Sequence, residues 1–530
     1  MNKKTSSTEK FLGVGWTKQL VPVLIPLLLL IFTGLRGIDF GFHWDERTHA
    51  LGVKNTISSG IPLPGIYLYP GVSYWLSLTS AVPDILNHWV SDEKTLEPLL
   101  SAIEGKAYRL RSRVLFLLIS SLAVVFVYLT VLVWRGSILE AFLAASILGF
   151  SWEVAYHIRW IAPDGIMMQF GAMTLLGVIG GFFQPERKNW LWFSAIGAGL
   201  AFGSKWTAGL LLVPVLIVAY LNPHNKLKGF RQWVLLFKLC LVFFLVYLIT
   251  TPATLLDSSQ VFKYIKMQQQ VYSSGLQGYA VSPGSEHFLK NLEYFALSFG
   301  SHFSPIAVAF FILSILGLYA LVKESPPLAL IFLSFPLLYL LYFSFHGMMV
   351  VRNLLVLGPF LAILSARGTC FIYERFKFKI IKPLVITFIL FLLTINGIWL
   401  IYAGESIRKN EPLTLIQNLD AYISKRPDTH FSVSPQVSQA LAVLKKKTPK
   451  NINNHPSEKA DVAIFLASEM FRHLGEPNIP ANRRHLTTTW FGPYEVNFNY
   501  YPTWKGSNRI LFMPMGQARD LGFPFLEGKN

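Results

Sequence analysis

Apolar runs of roughly 17–25 residues, the length that crosses a lipid bilayer, recur along this chain from residue 20 to residue 402. The clearest span 20–35, 114–134, 138–156, 166–183, 232–251, 305–322, 327–345, 353–366 and 383–402. A further pair lies within 191–220, where Gly203-Ser204-Lys205 interrupts the apolar stretch and predicts two short helices meeting at one face. That pattern predicts about eleven membrane helices. Only 14% of residues are charged, against about 25% in soluble domains, which excludes a soluble globular protein. Because no small-residue cleavage site follows the first run, it reads as a retained helix rather than a removable signal.

Lys3, Lys4, Lys10 and Lys18 precede the first run and predict a cytoplasmic N-terminus. Alternation then puts Arg135, Arg187, Lys226, Lys323 and the basic run from Arg367 to Lys382 on the cytoplasmic side as well. The loop around Asp45, the turn at 157–164, the loop at 252–297, the turn at His346–Arg352 and the C-terminal region share the other, external face. The formal charge of +18 follows largely from this cytoplasmic bias, which anionic lipid explains without any nucleic-acid partner. Cys240 and Cys370 offer neither an external disulfide nor a thiolate metal site.

Residues 38–112 form a long external loop whose second half reads as amphipathic helices lying on the membrane, with Tyr67, Tyr69, Tyr74, Trp75 and Trp89 as interfacial aromatics. From 403 onward polarity returns. Phe431–Val433, Val462–Leu466 and Ile510–Met513 read as short strands, which predicts a small external α/β domain over 403–530 beyond a membrane domain over 1–402. Segment 268–287, with Gln268, Gly275, Gly278 and Pro283, reads as a polar loop able to cover a substrate.

Trp44-Asp45-Glu46 lies just beyond the first apolar run. A carboxylate there can take an acceptor proton during sugar transfer from a phosphate-linked donor. Asp45, with Asp164, can equally hold a divalent cation such as Mg or Mn, and acids at a helix start also satisfy the macrodipole with no chemistry. His157-Ile158-Arg159-Trp160-Ile161-Ala162-Pro163-Asp164 puts a second acid in the first turn of a proline-started helix. Lys205, Arg352 and Arg159 are cations fit to neutralise a leaving lipid phosphate, and the bland alternative is snorkelling to headgroups. His49, Tyr69, His346 and His287 are the candidate substrate contacts at the same level. No phosphate-cradling glycine motif, nucleophile elbow or zinc-helix signature occurs.

The chain resembles the membrane-embedded C-type glycosyltransferases (GT-C), in particular the protein O-mannosyltransferase and lipid A aminoarabinose transferase branch. The resemblance rests on Trp44-Asp45-Glu46, Gly60-Ile61-Pro62-Leu63-Pro64 and Tyr69-Pro70-Gly71-Val72-Ser73-Tyr74-Trp75. It continues with Arg159 before Pro163-Asp164, Gly199-Leu200-Ala201 before Lys205, and Arg352-Asn353-Leu354 ahead of Pro359, so that it covers residues 20–366. It implies a polyprenyl-phosphate-linked sugar donor, transfer on the external face, Asp45 as acid-base or metal-proximal carboxylate and Asp164 as a second acid. Lys205 and Arg352 would then lie near the donor phosphate. Two departures stand out: Tyr69-Pro70-Gly71 replaces a Lys-Pro-Pro element of the aminoarabinose branch, and His49 only partly echoes the paired histidines of eukaryotic protein mannosyltransferases.

The expectation is therefore an all-α polytopic inner-membrane glycosyltransferase with a small external α/β domain. It would move a monosaccharide, with mannose suggested by the family branch, by inverting displacement onto a protein, lipid or glycan acceptor. A secondary transporter or lipid flippase is the rival, disfavoured because transporters put polar sites near the midplane between repeats. An inactive scaffold or acceptor-binding homologue is the third reading.

Overall fold

In this computed structural model the described residues are 19–39, 44–91, 95–187, 189–221, 229–274, 281–375, 381–408, 419–434, 437, 452–453, 460–466, 484–486 and 510–520. Every apolar run named above is helical over most of its length. Among the described residues, seven helices are long and apolar enough to cross a membrane: Lys106–Arg135, Pro163–Phe183, Phe230–Thr250, Ser304–Glu324, Pro326–Ser344, Val351–Arg375 and Lys382–Glu405. Val21–Leu35, Ile138–Gly149 and Trp206–Leu221 are shorter apolar helices. The chain is an integral, multi-pass membrane protein.

Local chemistry sets the helix boundaries. Run 138–156 breaks in two at Phe150, because the Ser151 hydroxyl accepts from Val154 N–H and starts the short Trp152–His157 helix. The Ser151 hydroxyl also donates to the Phe299 carbonyl at 2.6 Å, which pins that short helix to a distant segment. Pro163 occupies the first turn of Pro163–Phe183, where a missing N–H is tolerated. The interruption at 203–205 separates Asn189–Phe202 from the 3-10 turn Trp206–Leu211, as the sequence predicts.

The long loop holds three helices, Trp44–Ser59, Gly71–Val90 and Glu97–Glu104. They share a small core of Val53, Tyr74, Ala81, Ile103 and Tyr108, while Trp89 and Val90 are exposed. Gly71 is dictated by packing: a Cβ there would lie 1.9 Å from the Thr250 carbonyl oxygen, and its N–H donates to Thr251 Oγ1 at 3.0 Å. The departure from Lys-Pro-Pro is thus the residue that seats this helix on the end of Phe230–Thr250. Segment 268–287 differs from its reading as a loop. Gln268, Gln269 and Gln270 belong to the Ser258–Ser274 helix, whose Val261 is buried, while Gly275, Gln277 and Gly278 lie outside the described residues.

In the C-terminal region the three strands read from the sequence form β1 (Phe431–Val433), β3 (Val462–Leu466) and β5 (Ile510–Pro514). Two shorter strands, β2 (Ile452–Asn453) and β4 (Arg484–Leu486), complete a five-stranded sheet of order β2-β1-β3-β5-β4. Pairing of β1 with β2 and β3 is parallel, and β5 runs antiparallel to β3 and β4. Residues 492–504, with their run of aromatics, lie outside the described residues.

The Ser304–Glu324 and Gly358–Arg375 helices touch backbone to backbone. A Cβ on Gly317 would stand 1.9 Å from the Leu364 carbonyl oxygen, and one on Gly368 equally close to that of Leu313. At the end of this pair Arg367 is buried and bonds Glu324 and, at 2.9 Å, Glu374, while Arg135 reaches Glu324 at 3.2 Å. Gly368→Ala is therefore expected to destabilise the protein by about 1–3 kcal/mol through overpacking. Gly397→Ala, with its nearest neighbour at 3.4 Å, should leave the thermal midpoint in detergent unchanged.

Candidate active site

Asp45 and Glu46 occupy the first turn of Trp44–Ser59, where the helix dipole favours acids, yet they face different partners. Glu46 is held by Arg113 through two parallel bonds, Nε to Oε1 at 2.8 Å and Nη2 to Oε2 at 2.7 Å. Arg113 spends its remaining arm on the Ile38 carbonyl at 2.7 Å, and Ile161 N–H donates to Glu46 Oε1 at 3.3 Å. Both side chains are buried. This bidentate clamp ties the loop helix to the Lys106–Arg135 helix and to the turn before Asp164.

Asp45 instead meets Arg352, whose Nη1 donates to its Oδ2, and Tyr69, whose hydroxyl donates to Oδ1 at 3.5 Å. Arg352 also approaches Asp164, with Nε 3.6 Å from Oδ2. Asp164 Oδ1 accepts from Lys205 Nζ at 2.6 Å, and Lys205 donates in turn to Asn353 Oδ1. Four charges from four separate segments thus alternate in sign, Asp45, Arg352, Asp164, Lys205, and sum to zero. All are buried or nearly so.

A ring of neutral groups fixes this arrangement. Asn353 Nδ2 donates to the Tyr272 hydroxyl at 3.1 Å, and the Tyr339 hydroxyl donates to the Asn353 carbonyl at 2.8 Å. The Tyr272 carbonyl holds the 344–347 turn: Gly347 N–H donates to it at 2.9 Å, and Gly284 N–H donates to the Ser344 carbonyl of the same turn. His346 packs edge-on to Tyr272 at 5.9 Å, one ring removed from the charges. His287 is buried beneath this turn, its Nδ1 2.9 Å from the His346 carbonyl oxygen, and so braces the turn rather than entering the charged cluster.

His49 lies one helical turn beyond Asp45, stacked on Tyr69 with ring centroids 5.8 Å apart. Burial pushes its imidazole down to about 4 against the opposing pull of Asp45. The Tyr69 hydroxyl is raised well above its usual value, first by burial and then by Asp45, so it is a donor at neutral pH. Arg159 stands apart, with no ion pair to any member of the cluster among the described residues.

Asp45, Asp164, Lys205 and Arg352, expected to share one face, thus meet in one cluster with Tyr69 and His49 beside it, whereas Arg159 and His287 do not join it. Sequence reading gave no role to Arg113, Asn353, Tyr272 or Tyr339. An arginine opening an apolar helix was the signal that could have found Arg113. Tyr272 and Tyr339 carry no such signal, being ordinary interfacial aromatics in sequence. No three His, Cys, Asp or Glu side chains group as a metal site among the described residues. The two acids that would be its ligands already face cations.

Two expectations follow. Glu46→Ala should cost about 3–5 kcal/mol by stranding the buried Arg113 charge, and the double substitution with Arg113→Met should recover part of the loss, as read by denaturation in detergent. His49 binds a proton more readily unfolded than folded, so stability should fall as pH drops from about 6.5 towards 4, and His49→Phe should flatten that slope of thermal midpoint against pH.

Residues 103–262 match the family model of dolichyl-phosphate-mannose-protein mannosyltransferases. No curated protein matches the chain in sequence. Among solved structures, ArnT from Cupriavidus metallidurans bound to undecaprenyl phosphate is 12% identical, with 94% of this chain and 98% of that one covered at a TM-score of 0.49. The archaeal oligosaccharyltransferase AglB from Archaeoglobus fulgidus, in complex with an inhibitory peptide and a dolichol-phosphate, is 11% identical, with 86% and 70% covered at a TM-score of 0.48. The mannosyltransferase match, which spans the segment from Arg113 through Asp164 to Lys205, and the ordered motifs of the sequence support one class: a GT-C glycosyltransferase that uses a lipid-linked sugar.

Proposed function

We propose that this protein transfers a monosaccharide, mannose in the first instance, from a polyprenyl-phosphate donor to an acceptor hydroxyl or amine at the external face of a bacterial inner membrane. The N-terminus is then cytoplasmic, residues 1–402 form the catalytic membrane domain and residues 403–530 an external domain. The single observation that carries the reading is the charge-neutral alternation of Asp45, Arg352, Asp164 and Lys205 inside an apolar bundle.

Such a quartet is stable without substrate yet can exchange partners with it. A donor phosphate brings one negative charge, which Arg352 and Lys205 can take in place of the carboxylates. Release from Arg352 leaves the Asp45 carboxylate free to accept a hydrogen bond from the acceptor hydroxyl or amine. In the transfer step the acceptor oxygen bonds to the anomeric carbon as the bond from that carbon to the phosphate oxygen breaks. The acceptor proton passes to Asp45, and the charge developing on the departing phosphate falls between Arg352 and Lys205. A single displacement of this kind inverts the anomeric centre. Tyr69, hydrogen-bonded to Asp45, orients it, and Glu46, held by Arg113, fixes the helix that carries it. A mechanism with Asp45 and Asp164 around a divalent cation would require that cation to displace Arg352 and Lys205.

Membranes containing the protein, incubated with radiolabelled polyprenyl-phosphate mannose, should move label from lipid to an acceptor fraction. Asp45→Asn at equal expression should reduce the rate by about 10²-fold or more, the scale of general-base loss. Undiminished transfer would place the base elsewhere. Movement of intact donor across the membrane with no loss of label from lipid would support the transporter or flippase reading.

A further inference from the structure

A second buried cation stands outside the quartet with no ion-pair partner among the described residues. Arg159 follows the Trp152–His157 helix in the turn that leads to Pro163, and only 1% of its surface is exposed. Its Nε donates to the Ala155 carbonyl at 2.9 Å, the final turn of that helix supplying one favourable dipole. Its Nη1 and Nη2, the paired arms of the guanidinium fork, have no hydrogen-bond partner among the described residues, and no carboxylate there forms an ion pair with it. The ring of Trp152 lies 5.8 Å from the guanidinium carbon and gives it an aromatic wall. Burial pulls the guanidinium down to about 10, and Tyr156 acts in the opposite sense.

Within an apolar bundle an uncompensated charge is costly, and a cation–π contact offsets only a small part of that cost. Lys205 and Arg352, by contrast, are already matched by Asp164 and Asp45. Two adjacent, parallel N–H arms with no acceptor among the described residues are suited to the oxygens of a phosphate. The turn that carries Arg159 leads into the Pro163–Phe183 helix, whose first turn carries Asp164, so it adjoins a segment of the charged cluster.

We propose that Arg159, walled by Trp152, is the anchor of a phosphate-binding subsite separate from the Asp45–Arg352–Asp164–Lys205 cluster. The ligand is a phosphate oxyanion, carried on a polyprenyl chain, on a glycerolipid headgroup or free. The proposal does not rest on the transfer reading, because it concerns binding alone.

The test uses the full-length protein in dodecyl maltoside, which contributes no phosphate. Binding of inorganic phosphate, a short polyprenyl phosphate and phosphatidylglycerol is measured by calorimetry for the wild type, Arg159→Gln, Arg159→Met and Lys205→Gln. At least one ligand should show a class of binding that persists in Lys205→Gln and weakens by about tenfold or more in both Arg159 variants, the scale of lost charge-assisted hydrogen bonds. Response to inorganic phosphate identifies a free-phosphate site. Response to polyprenyl phosphate alone identifies a substrate or product phosphate, and response to phosphatidylglycerol alone identifies a lipid headgroup. Without phosphate the Arg159 variants should unfold at the wild-type temperature or above, since they lose an unpaired charge. Isotherms unchanged by either Arg159 variant for all three ligands would overturn the proposal. A lowered unfolding temperature in both variants would also overturn it, because it would show that Arg159 is neutralised by the protein itself.

Discussion

A charge taken out of water into an apolar bundle survives only if an opposite charge or several dipoles meet it. In this chain that constraint fastens segments far apart in sequence. Asp45 from the long loop, Asp164 from the start of one helix, Lys205 from a break between two others and Arg352 from a turn before a fourth can each be buried only because the others are there. Glu46 and Arg113 form a second, independent pair that sets the angle of the loop helix. The adjacent acids Asp45 and Glu46 therefore divide their duties: one is fully bound in a bidentate clamp, and the other is held by contacts that a ligand can replace.

The neutral groups around the charges explain why the arrangement is specific. Asn353 bonds Lys205 with its side-chain oxygen, Tyr272 with its nitrogen and Tyr339 with its backbone carbonyl, so one residue fixes three. Tyr272 is itself tied to the 344–347 turn, which His287 supports from below. A ligand entering the quartet would thus move groups that are coupled to the Ser258–Ser274 helix and the turn it meets.

Much of this fold was legible because bilayer-length apolar runs leave few alternatives. The sites of the acids and cations were legible for a related reason: charges in such a chain are few, so each one at a helix edge stands out. Asp164 after Pro163 and Lys205 inside a glycine-serine break are examples. What could not be read was which charge meets which. Asp45 and Glu46 look equivalent in sequence, and only packing assigns Arg352 to one and Arg113 to the other. Arg159 looked interchangeable with Arg352 for the same reason. The Gln268–Gln270 segment was misread as loop because its helix buries only a narrow apolar stripe, with Val261 fully enclosed and Ile265 in part. The break at Phe150 was hidden because Ser151 lies inside an apolar run, where its capping role has no hydropathy signal.

Exchange of the carboxylate partners of Arg352 and Lys205 for a lipid phosphate is tested most directly by an experimental structure of the full-length protein with a polyprenyl phosphate bound. The expected result is phosphate oxygens within hydrogen-bonding distance of Arg352 and Lys205, with the contact between Asp45 and Arg352 opened and Asp45 facing the space beside the phosphate. A bound phosphate with the four charges still paired to one another, and no phosphate oxygen near Arg352 or Lys205, would contradict it.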